Sequence, residues 1–424
     1  MAGRGEAEAE VAIETVVQRA AGLDIAKASL VACVRVPAAT GSGWQIVKRK
    51  FSTMTADLLA LADWLASHGI TRVGMESTGD YWRAPFYLLE QRFDCWLLNA
   101  RHLRAVPGRK TDMTDAEWIC DLVAHGLVRP SFVPPSPIRR LRDLTRRRTI
   151  LLAERTREKQ RMEKLLEDAG VKLSVVATDS FGKSGRAILD ALIAGQRDGQ
   201  MLAELALGRL RKKIPALTQA LVGRFNDHHA FLASMICSHI DATDRMVAAL
   251  DERIDTEIKP YHAEVALLDS IPGVHTRTAE VIVAEIGTDM SRFDSAAHLA
   301  SWAGICPGNN KTGGKPKPAR TRPGDRWLKA ALGTAAMGAI RQKHSYAHAL
   351  FRRVAVRRGG KRAQGAVAHS LLVAAWHVLI TQTPYQDLGG DYFVARDNPD
   401  HRRRRAVAQL ERLGYRVTLE PIAA

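Results

Sequence analysis

Four acidic residues have the type and surroundings to do chemistry together: Asp24 in "GLDIAK", Glu76 in "VGMEST", and Asp112 and Asp115 in "KTDMTDAEW". Carboxylates gathered in one place repel one another unless a hard dication bridges them. Mg²⁺ suits that role, because it takes one or two carboxylates and completes its shell with phosphate oxygens. Two such ions can flank a scissile phosphate and stabilise both the attacking and the leaving oxygen. We therefore expect the four acids to meet in one pocket and to hold Mg²⁺ against a nucleic-acid phosphate. Singly, each acid is as readily a solvated surface charge.

The elements around them form an alternating series. "GLDIAKASLVACVRV" has the β-branched and apolar content of two strands or one long bent strand, and it starts at Gly22, two residues before Asp24. "WQIVKRKFS" is a strand after the Gly41–Gly43 turn. "TADLLALADWLASHG" places Leu58, Leu61 and Leu65 at helical spacing and stops at Gly69. Glu76 then closes a short strand, "DYWRAPFYLLEQRF" reads as a helix, and "DCWLLNA" as a strand. "TDAEWICDLVAHGL" is a helix capped by Thr111 or Asp112 and ending at Gly126, so Asp112 and Asp115, three apart, share a face. Strands alternating with helices make an α/β layer.

From Arg139 the texture changes to one long charged helix with an apolar stripe at Leu141, Leu144, Ile150 or Leu151, and Leu165. "MVAALDERIDTEIKPYHAEVALLDSI" carries a second sparse apolar repeat. Two such helices can pair as an antiparallel coiled coil or dimer arm, or serve as a spacer packed on their own domain. Further on, "IPGVHTRTAEVI" is similar to a helix–hairpin–helix, whose turn aims backbone amides at a DNA phosphate; Gly273 belongs to that turn, and His275 stands where a second glycine is usual. "GNNKTGGKPKPARTRPGDRW" is a flexible electropositive loop in which Lys311, Lys315, Arg320 and Arg322 are candidates for neutralising phosphate.

Composition agrees with a polyanionic partner. Lys and Arg total 62 against 45 Asp and Glu, a formal charge of +17. The excess gathers in three basic blocks, "RRLRDLTRRRTILLAERTREKQR", "FRRVAVRRGGKR" and "HRRRR". Aromatic residues are 6%, which argues against single-strand stacking platforms. No apolar run reaches the length of a membrane span, so no membrane is expected. Five cysteines without a C-x-x-C read as reduced thiols in a cytoplasmic protein. His344 and His348 share a helix face, but no partner pattern makes them metal ligands.

In order along the chain, "GLDIAK", "MESTGDYW", "LLNARHLRAVPGRKTDMTDAEWICDLVAHGLVRPSFVPP", "LLDSIPGVHTRTAEVI" and "WAGICPGNNKTGGKPKPARTRPGDRWLKAAL" resemble the DEDD transposases of the insertion-sequence 110 family, which includes the Piv-type invertases. The resemblance spans Gly22 to Thr381. It implies a 1–17 flexible tail, a RuvC-like (RNase H-like) α/β domain over 18–137, and a helical coiled-coil arm over 138–262. A mostly helical C-terminal transposase domain with the helix–hairpin–helix-like motif would follow over 263–384, then a basic tail over 385–424. The family's four metal-binding acids fall on Asp24, Glu76, Asp112 and Asp115. Its nucleophilic serine falls on Thr312, within Lys311-Thr312-Gly313-Gly314; a threonine hydroxyl can form a covalent phosphodiester, although its β-methyl crowds in-line attack.

The implied activity is excision and insertion of a mobile element by Mg²⁺-dependent DNA strand cleavage and exchange through a covalent Thr312 intermediate. The implied partners are element-end and target DNA, a guide RNA encoded by the element, and further copies of the chain in a dimer or tetramer, acting at the bacterial nucleoid. Two other classes stay open: a RuvC-like junction nuclease that activates water, and an inactive copy that only binds nucleic acid.

Overall fold

A computed structural model describes residues 15–40, 43–77, 79–100, 103, 115–306, 311–317, 321–396 and 399–420. The chain forms two compact units, Met1–Val133 and Pro134–Ala424, each described here by itself.

The first unit is a five-stranded mixed sheet with helices on both faces. Its strands are β1 (Ala20–Ile25), β2 (Ser29–Pro37), β3 (Trp44–Ser52), β4 (Arg72–Glu76) and β5 (Asp94–Leu98), in the order β3-β2-β1-β4-β5. β1, β2 and β3 are antiparallel, while β1, β4 and β5 run parallel. The apolar stretch after Gly22 is thus two strands, with the reversal closed by Ala26 N–H donating to Ser29 O at 3.0 Å. The edge strand β3 is largely exposed and carries Lys48, Arg49 and Lys50, charges that discourage pairing with another edge.

Helices α1 (Thr55–Ser67) and α2 (Arg83–Leu89) cover one face, where Leu23, Val34, Leu61, Leu65, Met75 and Leu89 are buried together. Helix α3 (Asp115–Ala124) covers the other, with Ile119, Leu122 and Val123 packed around Ala20, Cys33 and Leu98. The expected cap of this helix, Thr111 or Asp112, lies outside the described residues. The expected loose tail is tied down at its end: Val16 and Val17 N–H both donate to Ala124 O at 2.9 Å.

The second unit is helical. Its elements are α4 (Ser136–Asp168), α5 (Leu173–Val176), α6 (Lys183–Ile193), α7 (Gly199–Glu204), α8 (Ile214–Ala220), α9 (Asp227–Glu257), α10 (His262–Asp269), α11 (Thr276–Ile286) and α12 (Ala296–Trp302). A small hairpin, β6 (Lys311–Thr312) and β7 (Lys315–Pro316), comes next. Then follow α13 (Arg326–Arg341), α14 (Tyr346–Arg358), α15 (Gly360–Thr381), α16 (Tyr392–Ala395) and α17 (Pro399–Arg412).

The long helices α4 and α9 pack antiparallel within the one chain. Their ion pairs fix the direction, because Arg140–Glu257, Arg148–Asp251, Arg155–Asp244 and Asp168–His229 step in opposite senses. Leu141, Leu151, Met162 and Leu166 of α4 face inward, so the stripe turns onto Leu166 where Leu165 was expected.

α15 is long and apolar enough to cross a membrane by length and composition, contrary to the expectation that no run reaches that size. It is a core helix of this unit: Val367, Leu371, Leu372, Ala375 and Leu379 are buried, and it packs against α12, α13 and α14. The start of the expected basic tail also packs back, with Tyr346 stacked on Phe393 and its N–H donating to Asp387 at 2.9 Å.

Candidate functional site

Two glycines place the acids of the first unit. Gly22 of β1 and Gly74 of β4 lie opposite each other in register. Both face α3: a Cβ at Gly22 would sit 2.2 Å from Ala116 O, and one at Gly74 would sit 2.5 Å from Val123 Cγ2. Only bare backbone lets the helix rest this close to the sheet. Side chains alternate along a strand, so the residues two further on, Asp24 and Glu76, point to the same α3-covered face. They follow the last paired residues, Leu23 and Met75, at the carboxyl ends of two neighbouring parallel strands. That is where open α/β sheets bind ligands. Asp115 is the first residue of α3, next to the Ala116 carbonyl held against Gly22.

The electrostatics agree with this geometry. The Asp24 carboxyl is raised above its ordinary value by partial burial, then by the negative charges of Asp115 and Glu76. Three carboxyls thus share one field, and the donors are all oxygen, the set a hard dication takes. Among the described residues no group of three is close enough to hold an ion. Asp112, the fourth acid, lies outside them. The donor chemistry of Asp24, Glu76 and Asp115 fits a divalent cation.

In the second unit, the stretch expected to be a flexible loop contains a tight hairpin. Thr312 pairs with Lys315 across a two-residue Gly313-Gly314 turn. Both glycines have positive φ, +54° and +75°, as a type I′ turn requires. Thr312 and Lys315 are exposed there, so a hydroxyl stands directly across from a cation. Arg322 is exposed too, and its carbonyl accepts from Lys329 Nζ at 2.6 Å. Lys311 lies in β6, and Arg320 falls outside the described residues. The base of this excursion is pinned: Gly304 and Gly324 cross so closely that a Cβ on either would meet backbone, at 2.8 Å from Arg322 O and 2.4 Å from Ala303 O.

The helix–hairpin–helix-like turn joins α10 to α11. Gly273 is buried with φ +78°, and a Cβ there would lie 2.2 Å from Ala335 O of α13. The missing side chain lets the turn rest directly against the backbone of α13. His275, at the N-cap position of α11, is exposed.

A buried network that the sequence reading did not single out holds these parts together. Glu285 of α11 is fully buried. Arg146 of α4 grips it in a bidentate fork, Nε to Oε1 at 2.8 Å and Nη2 to Oε2 at 2.7 Å. Arg142 lies 3.1 Å from Oε2 and donates to the Ala284 and Glu285 carbonyls. Arg146 also reaches Asp325 at 3.1 Å, and Asp325 caps α13 by accepting from Trp327 and Leu328 N–H. Burial pushes the Glu285 carboxyl up to about 7 against the pull of Arg146 and Arg142. One acid in the otherwise apolar "VIVAEIG" was the available signal, because a charge on a buried helix face needs a cationic partner.

A mixed sheet in this order, with helices on both faces and acids at its carboxyl edge, is compatible with an RNase H-like nucleic-acid enzyme. The family comparisons make the assignment specific. A family model described as a transposase, DEDD type of IS110, matches residues 21–170, and one described as the IS116/IS110/IS902 transposase family matches 265–352. The chain is 25% identical to the transposase for insertion sequence element IS1328 of Yersinia enterocolitica over 281 residues, covering 64% of this chain and 70% of that one. It is 36% identical over 101 residues to a 43.6 kDa protein of insertion element IS110 from Streptomyces coelicolor, covering 23% of this chain and 24% of that protein. The chain belongs to the IS110 family of transposases.

Proposed function

We propose that the protein is a divalent-metal-dependent DNA transposase that cuts and rejoins strands through a covalent link to Thr312. The observation that carries the metal half is the placement of Asp24 and Glu76 just past Leu23 and Met75, the last paired residues of β1 and β4, with Asp115 close enough to raise Asp24. Asp24, Glu76, Asp115 and Asp112 would hold Mg²⁺, which supplies Lewis-acid stabilisation of charge on phosphate oxygens. Thr312 contributes its hydroxyl. In the proposed cleavage, its Oγ1 loses a proton and bonds to phosphorus while the P–O3′ bond breaks and the 3′ oxygen leaves as a hydroxyl. Lys315, directly across the hairpin, favours the negative charge that builds on that phosphate. Religation reverses these steps and needs no high-energy cofactor, since the phosphoester is kept in the covalent link.

The DNA partners are the element ends and the target, the guide an RNA of the element, the assembly a dimer or tetramer, and the compartment the bacterial cytoplasm at the nucleoid.

Labelled element-end DNA incubated with protein and Mg²⁺, then run on denaturing gels, tests this. A protein–DNA adduct that Thr312→Ala and Asp24→Asn both abolish is expected. Cut DNA with free ends and no adduct would make the protein a water-using nuclease. Intact DNA with salt-sensitive binding would make it a binder.

A further inference from the structure

The second family match ends at residue 352, and a strongly cationic corner of the second unit lies at and beyond that point. From Arg326 to Gln386 the sequence contains no aspartate or glutamate and ten lysines and arginines. Six of the ten, Arg352, Arg353, Arg357, Arg358, Lys361 and Arg362, flank the junction of α14 and α15, and all are exposed. Among the described residues no ion pair includes any of them; Arg353 lies over the Phe393 ring at 5.0 Å. A cluster of like charges with no counter-charge repels itself. It is stable in water only because solvent and salt screen it, and a polyanion would relieve it.

The shape of the junction suits a backbone partner. α14 stops at Gly359, whose φ of +81° only glycine adopts freely, and α15 starts at Gly360 with no side-chain cap. Among the described residues nothing lies within 4 Å of a Cβ built at Gly359, so the turn opens to solvent. Val356, 88% exposed, stands among the cations as surface that a partner would cover. Among the described residues no exposed aromatic ring accompanies the six cations, which disfavours stacking on unpaired bases. The apolar side of α15 is spent inside the domain, which disfavours membrane insertion.

We infer that the α14–α15 corner is a docking surface for the phosphate backbone of duplex DNA, read without regard to sequence. It rests on the reading of the protein as a DNA transposase and adds a contact outside the proposed catalytic and hairpin residues. Arg357, Arg358, Lys361 and Arg362 grip phosphates on either side of the glycine turn. Each phosphate contact releases a counterion, so log Kobs against log salt should lose about 0.9 in slope per cation removed.

The test is fluorescence anisotropy of the full chain on two unrelated 30-base-pair duplexes across a salt series. A quadruple change of these four residues to serine should flatten the slope by about three to four units and weaken binding at least tenfold at moderate salt, equally on both duplexes. The matching charge-keeping variant, with lysine at Arg357, Arg358 and Arg362, should retain the slope, and circular dichroism should show both variants folded. An unchanged slope in the serine variant overturns the inference. So does a loss on an RNA duplex of equal length that exceeds the loss on DNA, or a loss of binding to phosphatidylserine vesicles with DNA binding intact. Wild-type protein that binds no duplex at all would instead overturn the transposase reading beneath it.

Discussion

Two parts of the second unit carry similar excesses of arginine and treat them in opposite ways. Along α4, Arg140, Arg142, Arg146, Arg148, Arg155 and Arg161 all meet acids, on α9, on α11 or on α4 itself. Around the α14–α15 corner, six cations meet none among the described residues. As text, the two stretches are both basic blocks with the same expected role in binding nucleic acid. As structure, the first is an internal fastening and the second a surface left charged. Where positive charge sits in a sequence says little about where positive potential reaches solvent; that depends on which acids fold against it.

The contrast can be broken most forcefully at Glu285. Glu285→Ala removes the buried carboxylate on which the half-buried Arg142 and Arg146 converge, and removing one partner of a buried pair costs up to about 3–5 kcal/mol. A thermal melt by circular dichroism should fall accordingly, and an unchanged melt would mean that α4 does not depend on its ion pairs.

Next in size is the pH dependence of the same group. Its folded pKa, about 7, lies above the ordinary value of 4.5, so between these the folded state holds the proton more tightly than the unfolded chain. Stability from this group is fully present below pH 4.5 and is lost as pH rises through 7. The loss is on the order of 1–3 kcal/mol. Glu285→Gln cannot titrate, so its stability should change less than wild type's over that window in paired denaturant titrations.

A smaller effect is expected at Arg148 and Asp251, half-buried and 2.5 Å apart. A double-mutant cycle to alanine should return a coupling of about 1 kcal/mol or less, since solvent screens the pair. Smallest of all, Arg357→Ser with Arg358→Ser should shift stability by no more than about 0.5 kcal/mol, as expected for surface residues without partners. A large loss there would place these arginines with the α4 group, as fastenings.

Local chemistry was legible in the sequence wherever a few neighbouring residues decide it. The strand Trp44–Ser52, the helix from Thr55 and the long helix after the prolines follow from apolar period and turn residues alone. That Glu76 closes a strand was readable too, whereas Asp24, expected near the start of a strand, lies near the end of β1. That the two acids end adjacent strands on one face was not readable, because it depends on the register of β1 with β4 and on Gly22 and Gly74 admitting α3. The Gly313-Gly314 pair announced a turn, yet loop composition concealed that the turn closes a hairpin with Thr312 in its arm. The partners of Arg142 and Arg146 lie some 140 residues away, at Glu285. No local pattern reports such pairings, and they separate the fastened arginines from the free ones.

The crossing of Gly304 and Gly324 has a consequence for how this family can vary. Once the two ends of an excursion are fixed, its entropy depends only weakly on its length, roughly as the logarithm. Residues between the two glycines can therefore be exchanged, shortened or lengthened with little effect on the helices at either end. The hydroxyl-bearing tip is thermodynamically insulated from the fold. Changes at Thr312 are then made at the part of the molecule that can be altered at little cost to folding.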